Sequence, residues 1–170
     1  MKTVDYKFRK GSKISIVLLL NQVIVFSLVL LFNLKTEAQE KIIPTIEVQT
    51  AFERDFPNVE PYWTKNFGGE DLDQIRYNAK FQKGTSGVLA VYDNLGKMKA
   101  LEVSIAKKAI PVKALNYLNR EYKGYTFKEA SRVKDDKNVT TYEVGIIMAG
   151  KFYDAVFDKD GDFIKIIQTN

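Results

Sequence analysis

A pattern that returns after about 65 residues constrains this chain more than any other feature. Tyr-Asn-Ala-Lys-Phe at 77–81 and Tyr-Glu-Val-Gly-Ile at 142–146 both open alternating runs, and 16 residues after each Tyr comes a turn, Asp-Asn-Leu-Gly at 93–96 or Asp-Lys-Asp-Gly at 158–161. Upstream, Phe-Glu-Arg-Asp-Phe at 52–56 matches Leu-Asn-Arg-Glu-Tyr at 118–122 at an offset of 66, and Pro44 matches Pro111 at 67. Such a slow drift is what a duplicated unit with small loop changes leaves behind. The units cover about 44–105 and 110–168, within one domain over 39–170.

Each unit opens with a predicted helix. Pro44 fits a first helical turn, where its missing N–H is not needed, and Val48, Phe52 and Phe56 recur every four residues until Pro57. After Pro111, Val112, Leu115, Leu118 and Tyr122 repeat this face up to Gly124. Strands follow. Ile75, Tyr77, Ala79 and Phe81 alternate with Arg76, Asn78, Lys80 and Gln82, giving one buried and one wetted face, and Tyr142, Val144, Ile146 and Met148 do the same. Segments 88–93 and 152–158 lead into Gly-containing hairpin turns, with returning strands at 97–105 and 162–168. Further strands near 59–67 and 125–134 complete four per unit. Short connections force antiparallel neighbours. The expected fold is therefore α+β, a tandem repeat of one helix plus a four-stranded antiparallel sheet, with the helices packed on one sheet face.

Charge is distributed unevenly. Residues 1–38 carry six basic and two acidic side chains, leaving 20 basic against 19 acidic in the rest. A nucleic-acid binder concentrates Lys and Arg on its folded domain, so no nucleic-acid partner is expected. The leader has a basic start, an apolar core at 23–32, and Thr36, Glu37 and Ala38 before Gln39, the grammar of an export signal. The alternative is an uncleaved anchor, since 14–34 is uncharged and long enough for one span. Cleavage implies a periplasmic or secreted domain; retention implies an inner-membrane anchor with the domain in the periplasm. A membrane contact is expected only in the second case. No Cys follows the apolar run, which excludes a lipoprotein.

The chain has neither Cys nor His. Ser-His-Asp and Cys-His sites and His- or Cys-bound metals therefore cannot be assembled from it. Neither a catalytic site, a cofactor nor a metal is expected. The Asp158 to Asp162 run has Gly161 at position 4, out of register for an EF-hand, and reads as a polar hairpin turn. Glu70, Asp71 and Asp73 read as solvated loop charge rather than a glycosidase pair. Glu102 and Glu143 are expected on strands, facing outward. Among the aromatics, Trp63 is expected in the core and Tyr62, of opposite strand parity, on the other face. Tyr62 and the polar residues Arg76, Asn78 and Lys80 form the candidate partner contact.

Taken together, these motifs resemble the PepSY-like proteins, also described as beta-lactamase-inhibitor-like. The resemblance rests on Pro44 with Val48, Phe52, Phe56 and Pro57, on Trp63, on the strand opening at Tyr77 and the turn opening at Asp93. In the second half it rests on Ile110, Pro111, Tyr122, Tyr125, Tyr142, Val144 and the turn opening at Asp158. It implies a tandem helix-plus-four-strand fold, an exported address and binding of a protein or peptide through the open sheet face. It implies no catalytic residues. The expected function is a non-catalytic exported binding module that modulates a hydrolase; the alternative is an envelope structural or sensory domain binding a small ligand or cell-wall fragment.

Overall fold

The computed structural model describes residues 42–68 and 74–169, so the leader, the expected cut before Gln39, and Glu70, Asp71 and Asp73 lie outside the described residues. Helix α1 (Ile46–Asp55) precedes strands β1 (Tyr62–Gly68), β2 (Gln74–Lys83), β3 (Ser86–Asp93) and β4 (Met98–Ser104). A short 3-10 turn (Lys107–Ala109) leads into helix α2 (Val112–Glu121) and strands β5 (Thr126–Asp135), β6 (Thr140–Met148), β7 (Lys151–Asp158) and β8 (Phe163–Thr169). All eight strands form one antiparallel sheet in chain order. β4 and β5 join the repeats through a ladder from Ala100 opposite Asp135 to Ser104 opposite Ser131. The duplication yields one continuous sheet.

Both helices pack on the same face. Val48, Ala51 and Phe52 of α1 meet Tyr77, Ala79, Phe81, Val88, Ala90 and Tyr92. The Phe52 ring lies 5.2–6.3 Å from the rings of Phe56, Trp63, Phe81 and Tyr92. Ala114 and Leu118 of α2 cover Ala130, Val144, Ile146, Ala155 and Phe157 in the same way. Burying one such large side chain contributes about 1.5–3 kcal/mol. The repeat extends to an irregularity of the ladder: register shifts at Val91/Tyr92 and again at Val156/Phe157, leaving Tyr92 opposite Met98 and Phe157 opposite Phe163. Tyr92 and Phe157 are both fully buried.

Each helix N-terminus sits on a hairpin turn of its own repeat. Asp93 Oδ1 accepts the Leu95 and Lys97 N–H groups, and Asp158 Oδ1 accepts those of Asp160 and Asp162. Thr45 caps α1 by accepting the Val48 N–H, and its hydroxyl donates to the Asn94 carbonyl. In α2 the cap is Pro111, with no side-chain bond; Lys113 instead pairs with Asp162 at 2.6 Å. Gly96 and Gly161, at φ +78° and +84°, let the turns close on the helices: a Cβ would lie 2.5 Å from the Glu47 carbonyl oxygen at Gly96 and 2.9 Å from Pro111 Cβ at Gly161.

Three sequence expectations need correction. Pro44 lies before the α1 cap, because Thr45 takes the capping position. Val112 is 72% exposed, since the buried side of α2 runs through Ala114 and Leu118. β1 starts at Tyr62, although Val59 still packs on the α1 core. The Asp158 run is the expected β7–β8 turn.

Candidate binding face

Strand parity divides the sheet into a helix-covered face and a helix-free face. Trp63 lies opposite Ala79 and packs on the α1 core, its ring 5.3 Å from that of Phe52. Tyr62 lies opposite Lys80 on the helix-free face and is 53% exposed. Thr64 opposite Asn78 and Asn66 opposite Arg76 continue the same row. The four candidate contact residues, Tyr62, Arg76, Asn78 and Lys80, are thus neighbours on one face at the β1–β2 edge. Their surroundings differ. Asn78 is buried and its amide donates to Asn66 Oδ1 at 3.1 Å and Thr64 Oγ1 at 3.4 Å, bracing β2 to β1. Arg76 donates to Gln74 Oε1 at 2.5 Å and to the Ile75 carbonyl at 3.3 Å. Lys80 is half-buried; burial lowers its ammonium to about 8, against the pull of Glu102.

Toward the middle of the sheet this face becomes apolar and acidic. Lys80 is opposite Leu89, which is opposite Glu102, which is opposite Val133. Leu89, Val91, Ala100 and Val133 form a third buried cluster on this side, where neither helix packs. Glu102, expected to face solvent, is only 2% exposed. Its parity was right and its environment was not. Ser131 lies opposite Glu143, while Glu129 and Asp154 flank Gly145 on either side. Asp154 and Ser131 are each 2% exposed; Glu143 and Glu129 are half-buried. A Cβ at Gly145 would lie 2.7 Å from Phe152 Cζ and 2.9 Å from Glu129 Cγ, so the glycine leaves room for both side chains.

The electrostatics follow from that crowding. Burial pushes the Glu102 carboxyl up to about 8, reinforced by the charges of Glu143, Glu129 and Asp154. Burial likewise raises Asp154 to about 8, with Glu143 and Glu129 adding to it. Burial raises Glu143 to about 7 against Lys165, and lifts Glu129. Lys165, on the β8 side and half-buried, is lowered by burial and drawn back up by Glu143. A hydrogen bond from Ser131 to Glu102 and one from Thr169 to Asp154 each draw the carboxyl part of the way back down. Buried polar atoms in native proteins are nearly always bonded in this way.

Sequence reasoning missed this band because it left the face to solvent or a partner, with Glu102 and Glu143 facing outward, whereas Glu102 is buried and Glu143 half-buried. One signal was available. The run at 88–92, Val-Leu-Ala-Val-Tyr, is apolar at every position rather than alternating, the mark of a strand buried on both sides. Among the described residues no group of three or more acidic side chains is arranged to hold a metal ion. No described helix is long and apolar enough to cross a membrane.

Two helices on one face of an eight-stranded antiparallel sheet, arranged as a tandem repeat, define the class of fold. The same fold is found in a BLIP-like protein from Bacteroides fragilis, with a TM-score of 0.57 at 16% identity over 75% of this chain and 88% of that one. A DUF2874 family protein from Bacteroides uniformis matches with a TM-score of 0.63 at 18% identity, covering 74% and 90% of the two chains. A protein from Bacteroides eggerthii, provisionally placed in the periplasm, gives 0.64 at 11% identity over 75% and 90%. No protein-family model and no curated protein sequence matches the chain. At these identities the likeness is one of fold.

Proposed function

We propose that this chain is a non-catalytic, exported binding module that presents its helix-free sheet face to a protein or peptide partner. The observation that carries this reading is the face itself: both helix cores lie on the other side of the sheet, and an exposed aromatic, Tyr62, stands at its edge beside Lys80 and Arg76. Rigid aromatics and Arg are enriched at protein interfaces. A chain without Cys or His offers little for catalysis. The export grammar of 1–38 supports a periplasmic or secreted address, in keeping with the provisional placement of the Bacteroides eggerthii structure. The narrower assignment to the PepSY-like proteins rests on the motif pattern from Pro44 to Gly161. The BLIP-like fold makes a hydrolase the partner class to test first, an analogy of fold.

The test is titration of the purified protein, as the cell makes it, against hydrolases of its own envelope, with Tyr62→Ala and Ile46→Ala compared. Both residues are exposed, on opposite faces. Loss of affinity with Tyr62→Ala alone supports the face. Loss with Ile46→Ala alone overturns it.

A further inference from the structure

Because the sheet is antiparallel in chain order, β1, β3, β5 and β7 end where β2, β4, β6 and β8 begin. That end carries the turns opened by Asp93, Asp135 and Asp158 and, seated on two of them, the N-termini of α1 and α2. The exposed large apolar side chains gather there. Ile43 and Ile46 stand at the entry to α1, Leu95 in the β3–β4 turn, Val139 in the β5–β6 turn and Val112 at the start of α2, all 52–76% exposed. Phe67 and Ile164, near the same ends of β1 and β8, are exposed as well. Among the described residues Tyr62 is the exception, at the opposite end of β1. Scattered single exposures need no explanation, but their confinement to one end of a domain does.

Charges in these turns are engaged with one another. Asp93, Asp135 and Asp158 accept N–H groups of their own turns. Asp136 pairs with Lys97 and Lys99, Asp162 with Lys113, and Asp160 with Lys159. Apolar contact, rather than net charge, is what this end offers. Such a surface suits the boundary between lipid headgroups and acyl chains, where binding strength follows the apolar area buried.

The chain's own path points to the same occupant. Ile42, the first described residue, lies at this end, directly before α1. In the sequence only residues 35–41 separate it from the uncharged run 14–34, which is long enough to span a bilayer. Seven residues, even fully extended, reach no more than about 25 Å. With that run held in a bilayer, the end of the sheet kept nearest the surface is the end that carries the exposed apolar side chains. We propose that the chain keeps its leader as an anchor and that this turn-bearing end rests on the bilayer surface, with Ile43, Ile46, Leu95 and Val112 seated among the lipid headgroups. This takes the anchored reading of the leader and goes beyond the binding-face reading, leaving Tyr62 at the end remote from lipid.

The chain has no Cys, so Leu95→Cys and Thr85→Cys each take a single nitrobenzoxadiazole label, at exposed turns on opposite ends of the sheet. The full-length protein, leader included, is reconstituted into vesicles of phosphatidylethanolamine with a minority of phosphatidylglycerol, and quenching by a lipid spin-labelled at its headgroup is measured. The expected result is strong quenching at position 95 and little at position 85. Ile46→Ser and Val112→Ser, both at exposed positions, should each lower the docked-to-undocked ratio, read from fluorescence lifetimes, by up to about tenfold without changing the circular dichroism spectrum. Equal quenching at the two sites, quenching at neither, or indifference to both Ser substitutions would overturn the proposal. So would a change at position 95 that needs no lipid and follows protein concentration, which would assign this end to a second copy. In the cells that make the protein, the mature chain should begin ahead of Gln39 and stay with the membrane fraction. A start at Gln39 would overturn the anchored arrangement while leaving the Tyr62→Ala test of the binding face untouched.

Discussion

Glu102 makes the stability of this fold depend on pH in a direction opposite to that of most acidic side chains. Folding moves its carboxyl from an ordinary value of 4.5 up to about 8, because burial removes it from water among three other acids. Between those values the folded chain holds a proton that the unfolded chain has released. Its contribution is fully present below pH 4.5, drains away as pH rises, and is gone above about 8. At about 1.4 kcal/mol per pH unit the loss approaches roughly 5 kcal/mol, and relaxation of the neighbouring carboxylates lowers it toward half. Glu102→Gln keeps the shape and discards the charge. It should therefore leave stability at pH 5 within about 1 kcal/mol of the parent, raise it by roughly 2–4 kcal/mol at pH 9, and flatten the slope between. Urea midpoints at pH 5, 7 and 9, compared at constant m-value, read this directly. A parent protein whose stability is flat or rising from pH 5 to 9, or a variant with an unchanged slope, would refute the reasoning.

Other consequences follow from the repeat and its turns. Gly161→Ala should destabilise by roughly 2–4 kcal/mol, combining a left-handed backbone with contacts on Pro111 and Ala114, while Gly84→Ala, at φ +61° with open space around it, should cost only about 1–2 kcal/mol; thermal melts compare the two. Phe52→Ala removes a ring that touches four others and should cost about 3–5 kcal/mol in urea unfolding. Asp136 titrates the other way: hydrogen bonds from Lys99 and Lys97 hold its carboxyl low, so its contribution is present above its ordinary range and lost on acidification. Lys99→Ala should accordingly shift acid unfolding to higher pH, followed by circular dichroism.

The architecture was legible because its signals are periodic. Val48 and Phe52 on α1, the alternation from Ile75 to Phe81, and the Asp-x-x-Gly turns each state a local preference, and the repeat states them twice. The face of Tyr62 and Trp63 followed from parity alone. What stayed hidden depended on packing across strands far apart in sequence. Nothing local to Glu102 says that Val133 and Ser131 will lie beside it, or that Glu143 and Asp154 will crowd its charge. Val112 fits the helical period as well as Ala114 does, and only the seating of α2 on the sheet exposes one and buries the other.

The claim that the helix-free face is the working surface is tested most directly by photocrosslinking in the cells that make the protein. One variant carries benzoylphenylalanine in place of Tyr62, on that face, and a second carries it in place of Val112, on exposed α2. The account predicts one discrete, saturable protein adduct from position 62 and none from position 112. An adduct from 112 alone, or none from either, would contradict it.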